Sequence, residues 1–408
     1  MPVEIVETLI VGGGQAGIAM SHQLTLRGHS HLVVERHRIA ERWRSERWDG
    51  LRFQTPNASL TLPGFPFPQN DPGGFASAGE ILDFINAYAA SFGAPVRTEV
   101  CVSSLHHDGT KFLAHTSAGS IQADQVVVAT GPFQKPQIPA LMSDKIDINQ
   151  VHAGAYRNPE QLPAGAVLIV GSASSGAQIA EELMRAGRQV YLCIGRHRRF
   201  PRRYRGQDIS LWQNDPDIST TLQAQRDANN IPIVFSGAYG GHTIDFRNFA
   251  AQGMILLGRA EAMNGETMHF AEGLAAQLTL GDESYFESLR TIDDFVTNTG
   301  LNLPEERDAW HAIAEPACVT HPIRSLNLKA EGITTVLWAT GYSCDFGWIK
   351  LDVLDLAGLP IQHHGMTNTP GLFFLGPEWL SHFGSARLSG VGRDAMVIAD
   401  KICGNLIQ

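Results

Sequence analysis

The clearest pattern of apolar and polar positions lies near the start of the chain. Residues 9–11 form an apolar run with the length of a buried strand, and residues 32–34 form a second one. Between them, residues 15–26 have the amphipathic spacing of a helix. Gly12, Gly14 and Gly17 stand at the junction of the first run and this helix. The pattern predicts a strand–helix–strand unit with its glycines in the strand-to-helix turn.

The three glycines have the G-x-G-x-x-G spacing of a dinucleotide-binding turn. In such a turn the first glycine permits a tight bend, the second lets the backbone approach a pyrophosphate, and the third lets helix and strand pack closely. The helix start offers free N–H groups and a positive dipole to the phosphates. Glu35, at the end of the second run, is predicted to accept from a ribose hydroxyl. The alternative is a glycine-rich turn without a ligand.

The same pattern occurs a second time in the chain. Residues 167–170 are apolar, residues 171–176 read G-S-A-S-S-G, and a helix over 177–185 and a strand over 189–194 are predicted after them. Ala173 stands where the middle glycine belongs, and its Cβ would hold a pyrophosphate further from the backbone. The neighbouring serines can compensate by donating hydroxyl hydrogen bonds. The repeat predicts a second dinucleotide site.

The residues after the second strand distinguish the two sites. Where the first unit has Glu35, the second has Arg196, Arg198 and Arg199. An acid repels a ribose 2′-phosphate, whereas arginines bind one. The first site is therefore expected to take FAD and the second to take NADPH, with NADH possible. The alternative is that the arginines form a basic face or a domain contact, and only one or two are expected to touch the phosphate.

Further elements follow from periodicity and from glycine and proline breaks. Short strands at 96–105, 111–116 and 120–122 predict a small antiparallel sheet, and Ala129-Thr130-Gly131 and Ala339-Thr340-Gly341 each end an apolar strand. Small residues there would let the chain cross close to a cofactor, although a tight strand exit explains them equally well. Further predicted helices span 78–92, 282–298 and 389–402, a strand spans 372–375, and a linker spans 132–165.

Composition limits the class of protein. The formal net charge of −10 disfavours nucleic acid and anionic membranes as partners. The five cysteines are scattered without a C-x-x-C pair, which disfavours a disulfide framework or a zinc site. No apolar run approaches the roughly 20 residues that span a bilayer. We therefore expect a cytoplasmic protein with no metal, and a homodimer is plausible.

Several motifs resemble those of the flavin-containing monooxygenase family, in the bacterial branch near the plant indole-pyruvate monooxygenases. Besides the glycine turns, they are W-R-S-E-R-W-D-G-L-R-F-Q-T-P at 43–56, L-P-G-F-P-F at 62–67, V-V-A-T-G-P at 127–132, H-A-G-A-Y at 152–156 and L-W-A-T-G-Y at 337–342. The resemblance implies an α/β fold of two nested Rossmann-like domains, with an NADPH domain over 161–332 inserted into an FAD domain over 1–160 and 333–408.

The resemblance also implies a reaction. In that family NADPH reduces FAD, dioxygen then forms a flavin C4a-hydroperoxide, and one oxygen atom passes to a small organic substrate by N- or S-oxygenation or by a Baeyer–Villiger reaction. The alternatives are an NAD(P)H-dependent flavoprotein reductase or oxidase that releases H2O2, and a nucleotide-binding regulator without activity.

The identifying motif of that family, F-x-G-x-x-x-H-S-x-x-Y, is only partly present. His152 and Tyr156 keep their spacing, but Ile146, Ile148 and Ala153 replace the Phe, Gly and Ser. Gln54 and Asn57 stand near the position of a family asparagine, from which an amide N–H can reach the hydroperoxide. These departures put efficient stabilisation of that intermediate in doubt, but not FAD binding.

The predicted site combines these residues. The predicted catalytic residues are Gln54, Asn57, His152 and Tyr156. The predicted cofactor-binding residues are Gly12, Gly14, Gln15, Ala16, Gly17, Glu35, Arg36, Trp43, Arg44, Val100, Ala129, Thr130, Gly131, Gly171, Ser172, Ser174, Ser175, Gly176, Arg196, Arg198, Arg199, Thr340, Gly341 and Gly376.

Overall fold

The chain is built around a seven-stranded sheet and a five-stranded sheet. The structure is a computed structural model. It describes residues 3–142, 146–212, 218, 231–378, 380–382 and 384–404. In chain order the strands are β1 (Glu4–Val11), β2 (His31–Val34), β3 (Thr61–Leu62), β4 (Phe65–Pro66), β5 (Val96–Arg97), β6 (Val102–His107), β7 (Phe112–Thr116), β8 (Gly119–Val128), β9 (Lys135–Pro136), β10 (Asn149–His152), β11 (Ala166–Val170), β12 (Val190–Cys193), β13 (Arg198–Arg199), β14 (Arg203–Tyr204), β15 (Gln207–Asp208), β16 (Ile233–Val234), β17 (Ile255–Leu257), β18 (Ala260–Asn264), β19 (Thr267–Phe270), β20 (Ser325–Asn327), β21 (Ile333–Trp338), β22 (Tyr342–Ser343) and β23 (Leu372–Phe374).

The helices cover the faces of these sheets and include the two that follow the glycine turns. In chain order the α-helices are α1 (Gln15–Leu26), α2 (Glu41–Ser45), α3 (Ala78–Ser91), α4 (Ser174–Arg185), α5 (Ile209–Trp212), α6 (Phe246–Ala251), α7 (Leu274–Thr299), α8 (Ala317–Thr320) and α9 (Val391–Ile402). Single 3-10 turns occur at Asn57–Ser59, Pro159–Gln161, Ala238–Gly240 and Arg307–Trp310.

The first sheet has the strand order β5-β2-β1-β8-β7-β6, and β23 pairs with β8 beside β7. β1 pairs in parallel with β2 and β8, so its carboxyl end meets the glycine turn among other strand ends. The three antiparallel strands that the sequence predicted are present as β6, β7 and the first half of β8, and they form one side of this larger sheet. β8 continues through residues 119–128, where its first half pairs with β7 and its second half with β23.

The second sheet is parallel throughout, with the order β10-β21-β11-β12-β17. Its strands lie in the sequence between β8 and β23 of the first sheet, so one domain is nested inside the other. The expected α/β fold with two dinucleotide-binding units is confirmed. Residues 149–152 and 333–338, which were predicted to belong to the FAD domain, hydrogen-bond into the second sheet.

Helix α1 differs from its predicted amphipathic pattern. It is buried on most of its surface, because α9 and α3 pack against it in addition to the sheet. Its end is as predicted: Gly28, just past the last turn, has φ +64, a left-handed value that suits glycine. The expected linker over 132–165 contains β9 as well as β10. β9 pairs with β22 in a two-stranded ribbon. The segment that leads from the first domain to the second therefore runs beside the segment that leads back.

Candidate active site

The first glycine turn brings three backbone segments into contact. Gly12 has φ +115, and a Cβ on it would lie 2.5 Å from the carbonyl oxygen of Ala129. A Cβ on Gly17 would lie 1.8 Å from the carbonyl oxygen of Gly12, whereas a Cβ on Gly14 would meet no atom within 4 Å. The turn needs glycine at 12 and 17 for its own packing. Gly14 instead leaves open space beside the helix start, as the approach of a pyrophosphate requires.

The second turn repeats this geometry. Gly171 has φ +110, and its Cβ would lie 2.5 Å from the carbonyl oxygen of Ala339. A Cβ on Gly176 would lie 1.9 Å from the carbonyl oxygen of Gly171. Ala129 and Ala339 therefore cross directly over the first glycine of each turn. This close crossing is the tight strand exit that the sequence left as an alternative to direct cofactor contact.

Both helices that follow these turns begin without a side-chain cap and without an acid in the first turn. By contrast, α3 begins with a capping box between Ser77 and Glu80, and the carboxylate of Asp245 caps α6. The first N–H groups of α1 and α4 are therefore available to an anion, which the helix dipole also attracts. The residues present fit a dinucleotide pyrophosphate at each turn.

Two of the three serines in the second turn have structural roles. The buried hydroxyl of Ser172 accepts from the N–H of Gly195 at 3.0 Å. The hydroxyl of Ser174 donates to the carbonyl of Ile233 and accepts from the N–H of Phe235, both at 3.2 Å. These bonds attach the turn to the strands beside it. Phosphate binding by a serine hydroxyl therefore remains a prediction for the exposed Ser175.

Glu35 uses both carboxylate oxygens within the protein. One accepts from the N–H of Gly13 at 2.7 Å and the other from the N–H of His37 at 2.9 Å, so the side chain fastens the glycine turn to the end of β2. The N–H of Val100 donates to the Glu35 carbonyl at 2.9 Å, and Arg36 is exposed. A carboxylate oxygen accepts more than one hydrogen bond, so the ribose contact remains a prediction.

The three arginines after β12 have different environments. The guanidinium of Arg199 is buried against the carboxylates of Asp245 and Asp282, and burial lowers its pKa. Arg198 is also buried, with its guanidinium carbon 4.9 Å from the ring centroid of Phe200. Arg196 is exposed in the loop. Arg199 forms an internal ion pair, which is the alternative that the sequence left open, and its contact with a phosphate stays a prediction. Of these three arginines, Arg196 is the one whose side chain is exposed.

The two Ala-Thr-Gly segments turn at their glycines and lead into the ribbon of β9 and β22. Gly131 has φ +72 and Gly341 has φ +82. The side-chain amide of Gln134 donates to the Thr130 hydroxyl at 3.0 Å and to the Gly131 carbonyl at 2.7 Å. The Thr340 hydroxyl donates to the carbonyl of Gln137. The threonines therefore fix the shape of each exit.

His152 lies at the end of β10 and is 6 % exposed. Its Nε2 lies 2.9 Å from the carbonyl of Gly341, and its Nδ1 accepts from the N–H of Gly154 at 3.1 Å. Burial lowers the pKa of His152, which favours the neutral ring with Nε2–H as donor. Both ring nitrogens are used within the protein, Nε2 at the second Ala-Thr-Gly exit and Nδ1 at Gly154. His152 therefore has a positioning role in this structure, and its catalytic role stays a prediction.

Tyr156 is fully buried, and its hydroxyl donates to a carboxylate oxygen of Glu182 on α4 at 2.8 Å. Burial raises the pKa of both groups. This bond attaches the connection after β10 to the helix of the second turn. The catalytic role of Tyr156 stays a prediction.

Gln54 and Asn57 occupy different environments although they are close in sequence. Gln54 is exposed, and its carbonyl accepts from the guanidinium of Arg202 at 2.6 Å. Asn57 is 8 % exposed, and its amide N–H donates to the carbonyl of Asp71 at 2.9 Å. Its Oδ1 is buried and has no hydrogen-bond partner among the residues that the structure describes. The free group of Asn57 is therefore an acceptor, where the sequence predicted a donor. An N–H group of a bound ligand would satisfy it.

The C-terminal segment packs against the first turn at Gly376, whose contact with a cofactor stays a prediction. Gly376 has φ +93, and its Cβ would lie 3.0 Å from the Cβ of Ala16. The amide of Gln15 donates to the carbonyl of Ala386 at 2.7 Å. These contacts bring Gly376 and Ala386 beside the start of α1.

A cluster that the sequence did not single out lies where the two exits meet. The guanidinium carbon of Arg47 lies 5.1 Å from the ring centroid of Trp43 and 5.9 Å from that of Phe133. Tyr342 packs edge-on against the rings of Phe133 and His152, at 5.5 and 4.9 Å. Trp43 is half-buried, and Arg44 beside it is exposed. A sequence signal existed, because Phe133 and Tyr342 closely follow the two Ala-Thr-Gly segments.

Comparison with known proteins agrees with this geometry. Residues 9–240 match the family described as pyridine nucleotide-disulphide oxidoreductase. The chain belongs to this family. Within the described part of this oxidoreductase, no helix is long and apolar enough to cross a membrane.

Individual relatives of this oxidoreductase identify its branch. An uncharacterized CzcO-like oxidoreductase of Geobacillus kaustophilus is 32% identical over 98% of both chains. The indole-3-pyruvate monooxygenase YUCCA4 of Oryza sativa is 30% identical over 44% of this chain and 45% of its own. A flavin-containing monooxygenase from Stenotrophomonas maltophilia superposes with a TM-score of 0.68 at 17% identity, over 98% and 99% of the chains. The expected resemblance to flavin-containing monooxygenases is confirmed, as is the oxidoreductase class.

The cysteines of this oxidoreductase are all free. Burial raises the pKa of Cys193 to about 12 and also raises the pKa of Cys344 and Cys403. A raised pKa opposes formation of the nucleophilic thiolate. The disulfide chemistry in the family's description therefore has no support from these three thiols.

Proposed function

We propose that the protein is a single-component, FAD-dependent monooxygenase that uses NADPH. It inserts one atom of dioxygen into a small organic substrate, at a nitrogen or sulfur or beside a carbonyl. The second oxygen atom leaves as water, with NADPH supplying two electrons.

One observation carries this proposal: two uncapped glycine turns built on the same plan, with exits joined by the ribbon of β9 and β22. Two dinucleotide sites in one chain imply that electrons pass between two cofactors. When bound, a nicotinamide supplies hydride and a flavin activates dioxygen. The protein's own contribution is therefore binding, orientation and exclusion of water.

The residues divide this work between the two turns. The start of α1 and Glu35 bind FAD, the cofactor that has no 2′-phosphate, because the Glu35 carboxylate would repel such a phosphate. The start of α4 binds the second pyrophosphate, and Arg196 attracts the 2′-phosphate of NADPH. His152 fixes Gly341, while the buried Oδ1 of Asn57 accepts a hydrogen bond from an N–H of the bound flavin or substrate.

The test is an oxygen balance on the purified, FAD-loaded protein. With 18O2, NADPH and a panel of amines, sulfides and ketones, at least one substrate should gain one 18O atom per NADPH consumed. Release of all the oxygen as H2O2 with every substrate would contradict the proposal.

The alternative, an NAD(P)H-dependent reductase or oxidase that releases H2O2, has one observation in its favour. Three positions of the family motif are changed, at Ile146, Ile148 and Ala153. The same oxygen balance decides between the two functions. A colourless protein, or a yellow one that NADPH does not bleach, would instead indicate a regulator.

A further inference from the structure

Arg47 lies at the meeting point of the two exits. Among the described residues, no carboxylate oxygen lies within 4.0 Å of its guanidinium. Its hydrogen bond to the carbonyl of Glu46 measures 2.9 Å. Burial lowers the pKa of Arg47, and attraction to the Tyr342 hydroxyl and to Glu46 offsets this in part. A cation that has lost water without gaining an ion pair is costly to maintain.

The charges around Arg47 compensate its positive charge only in part. The carboxylate of Glu46 already pairs with Arg42, whose guanidinium also donates to the carbonyl of Gln134 at 3.0 Å. Arg157 donates to carbonyl oxygens, including those of Gly154 at 3.1 Å and Tyr156 at 2.9 Å. The cluster therefore holds three guanidinium groups and one paired carboxylate.

Other acids near the cluster have partners of their own. Asp49 accepts from the side-chain amide of Asn158 at 2.7 Å, and Glu182 accepts from Tyr156. On the ribbon, Lys135 and Asp345 pair with each other at 2.6 Å. Within the described part of the chain these acids are engaged elsewhere, so the cluster is open to an anion from outside.

We propose that Arg47, together with Arg42 and Tyr342, binds an oxyanion, and that this oxyanion is a carboxylate of the organic substrate. Arginine matches the two oxygens of a carboxylate with two parallel N–H groups. The aromatic rings of Trp43, Phe133 and Tyr342 give the rest of the substrate an apolar surface. Phe133 is 43% exposed, so this surface is open to solvent on one side.

The phosphates of the cofactors are weaker candidates for this anion. Each pyrophosphate has its own uncapped helix start, at α1 and at α4. The 2′-phosphate belongs beside the exposed Arg196, at the end of β12. Arg47 lies instead with Phe133 and the cluster around Tyr342, beyond the exits from both turns. The assignment of a substrate to this place rests on the proposed monooxygenase function.

The first experiment measures binding without turnover. Benzoate and benzamide are titrated into the FAD-loaded protein, and binding is followed by calorimetry and by quenching of tryptophan fluorescence. We expect benzoate to bind at least tenfold more tightly than benzamide. Arg47→Gln should abolish this preference. The matched control Arg52→Gln, which changes an exposed arginine of the same segment, should retain it. Equal binding of the two probes by the wild-type protein would overturn the proposal.

The second experiment measures turnover with a matched pair of sulfides, 4-(methylthio)benzoate and 4-(methylthio)benzamide. The wild-type kcat/KM should favour the acid at least tenfold, and Arg47→Gln should remove the preference through KM. If Arg47→Gln raises KM for NADPH to the same degree with the neutral sulfide, the anion belongs to the coenzyme and the proposal is wrong. If the Arg47→Gln protein does not retain FAD, Arg47→Lys replaces it in this experiment, because lysine keeps the charge but not the two parallel N–H groups. The preference of Arg47→Lys for the acid over the amide should be at least threefold smaller than that of the wild type. A preference equal to the wild type would count against the proposal.

The two proposals fail in different ways. Preferential binding of benzoate without 18O in either sulfide would leave the anion site standing and overturn the monooxygenase function. Incorporation of 18O into both sulfides with no preference for the acid would overturn the anion site alone.

Discussion

The arginines after β12 have the same charge but contact different groups. Arg199 lies between two carboxylates and against the ring of Tyr285, at 4.2 Å from its centroid, whereas Arg196 is exposed in the loop. The sequence shows all of them at the end of the second strand and cannot rank them, because the acids that pair with Arg199 come from distant positions. Only contacts made in the fold identify the arginine that is open to a ligand.

Coenzyme choice should therefore depend on Arg196. Arg196→Gln should raise KM for NADPH about tenfold and change KM for NADH less than twofold, because one charge-assisted hydrogen bond contributes about 1.5–3 kcal/mol. Arg199→Gln should instead lower the free energy of unfolding by about 3–5 kcal/mol, the cost of removing one partner from a buried ion pair. Initial rates and urea melts measure the two effects. Selective loss of NADPH affinity in Arg199→Gln at unchanged stability would return Arg199 to the phosphate site.

Tyr156 gives a second test at the same scale. Tyr156→Phe removes the hydrogen bond to Glu182 and should destabilise the protein by about 1–3 kcal/mol, while kcat changes less than twofold. Chemical denaturation and steady-state rates measure the two quantities. A large fall in kcat without loss of stability would show that the hydroxyl acts in the reaction after all.

At the scale of elements, the helices α1 and α4 have the same uncapped start but different middle residues in their turns. Gly14 stands in the first turn and Ala173 in the second. The glycine pattern and the helix ends could be read from the sequence, because turn chemistry and capping are local. The length of β8, and the fact that β10 and β21 belong to the second sheet, could not be read from the sequence. Strand pairing joins residues that are far apart in the chain.

Gly14→Ala tests the role of the open space beside α1. Since a Cβ there meets no protein atom within 4 Å, the apoprotein should keep its melting temperature to within about 2 °C. The FAD affinity should fall about tenfold, because the methyl group lies in the path of the pyrophosphate. Reconstitution of the apoprotein with FAD measures this affinity. Unchanged affinity would show that the pyrophosphate does not approach Gly14.

His197 should make the packing of α7 sensitive to acid. Its Nε2 would lie 2.6 Å from a Cβ on Gly281 of that helix, and burial lowers the pKa of His197 from 6.5 to about 4. Nearby Arg199 and Arg247 repel the protonated ring. Because the folded pKa is lower than the unfolded one, His197 has no effect on stability above about pH 6.5. Between pH 6.5 and 4 only the unfolded chain takes up this proton, so stability falls as pH falls.

This effect can be measured by urea denaturation at several pH values. The contribution of His197 to the slope approaches about 1.4 kcal/mol per pH unit between these limits. His197→Gln should remove that contribution, and His37→Gln, which changes an exposed histidine, should retain it. An identical pH profile for wild type and His197→Gln would contradict the assigned shift.

At the scale of the whole molecule, two nucleotide units are nested and joined by the ribbon of β9 and β22. His152 and Tyr156 hold this junction together, since one fixes the second exit and the other fixes α4. The arrangement places the two exits against one another around Arg47, Phe133 and Tyr342. Electron transfer between two cofactors requires such a meeting of the two sites.

Alanine substitutions at Gly17 and Gly176 should distinguish the functions of the two turns. Gly17→Ala clashes with the carbonyl of Gly12 and should abolish FAD binding, and with it all activity. Gly176→Ala clashes with the carbonyl of Gly171 and should leave the protein yellow but slow its anaerobic bleaching by NADPH at least 100-fold. Gly73→Ala, at a position with open space, is the control. Normal bleaching in Gly176→Ala would refute the role of the second turn.

From the amino-acid sequence alone we could recognise the two strand–turn–helix units, the difference between Glu35 and the arginines, and the likeness to flavin-containing monooxygenases. Each of those features depends on interactions between residues that are only a few positions apart in the sequence. The tertiary structure decided which arginine is open, that His152 and Tyr156 hold backbone and helix in place, and that Asn57 presents an acceptor. It also brought Arg47 to both exits. Each of these depends on which distant groups share a buried space, and that is set only when the sheets and connections pack together.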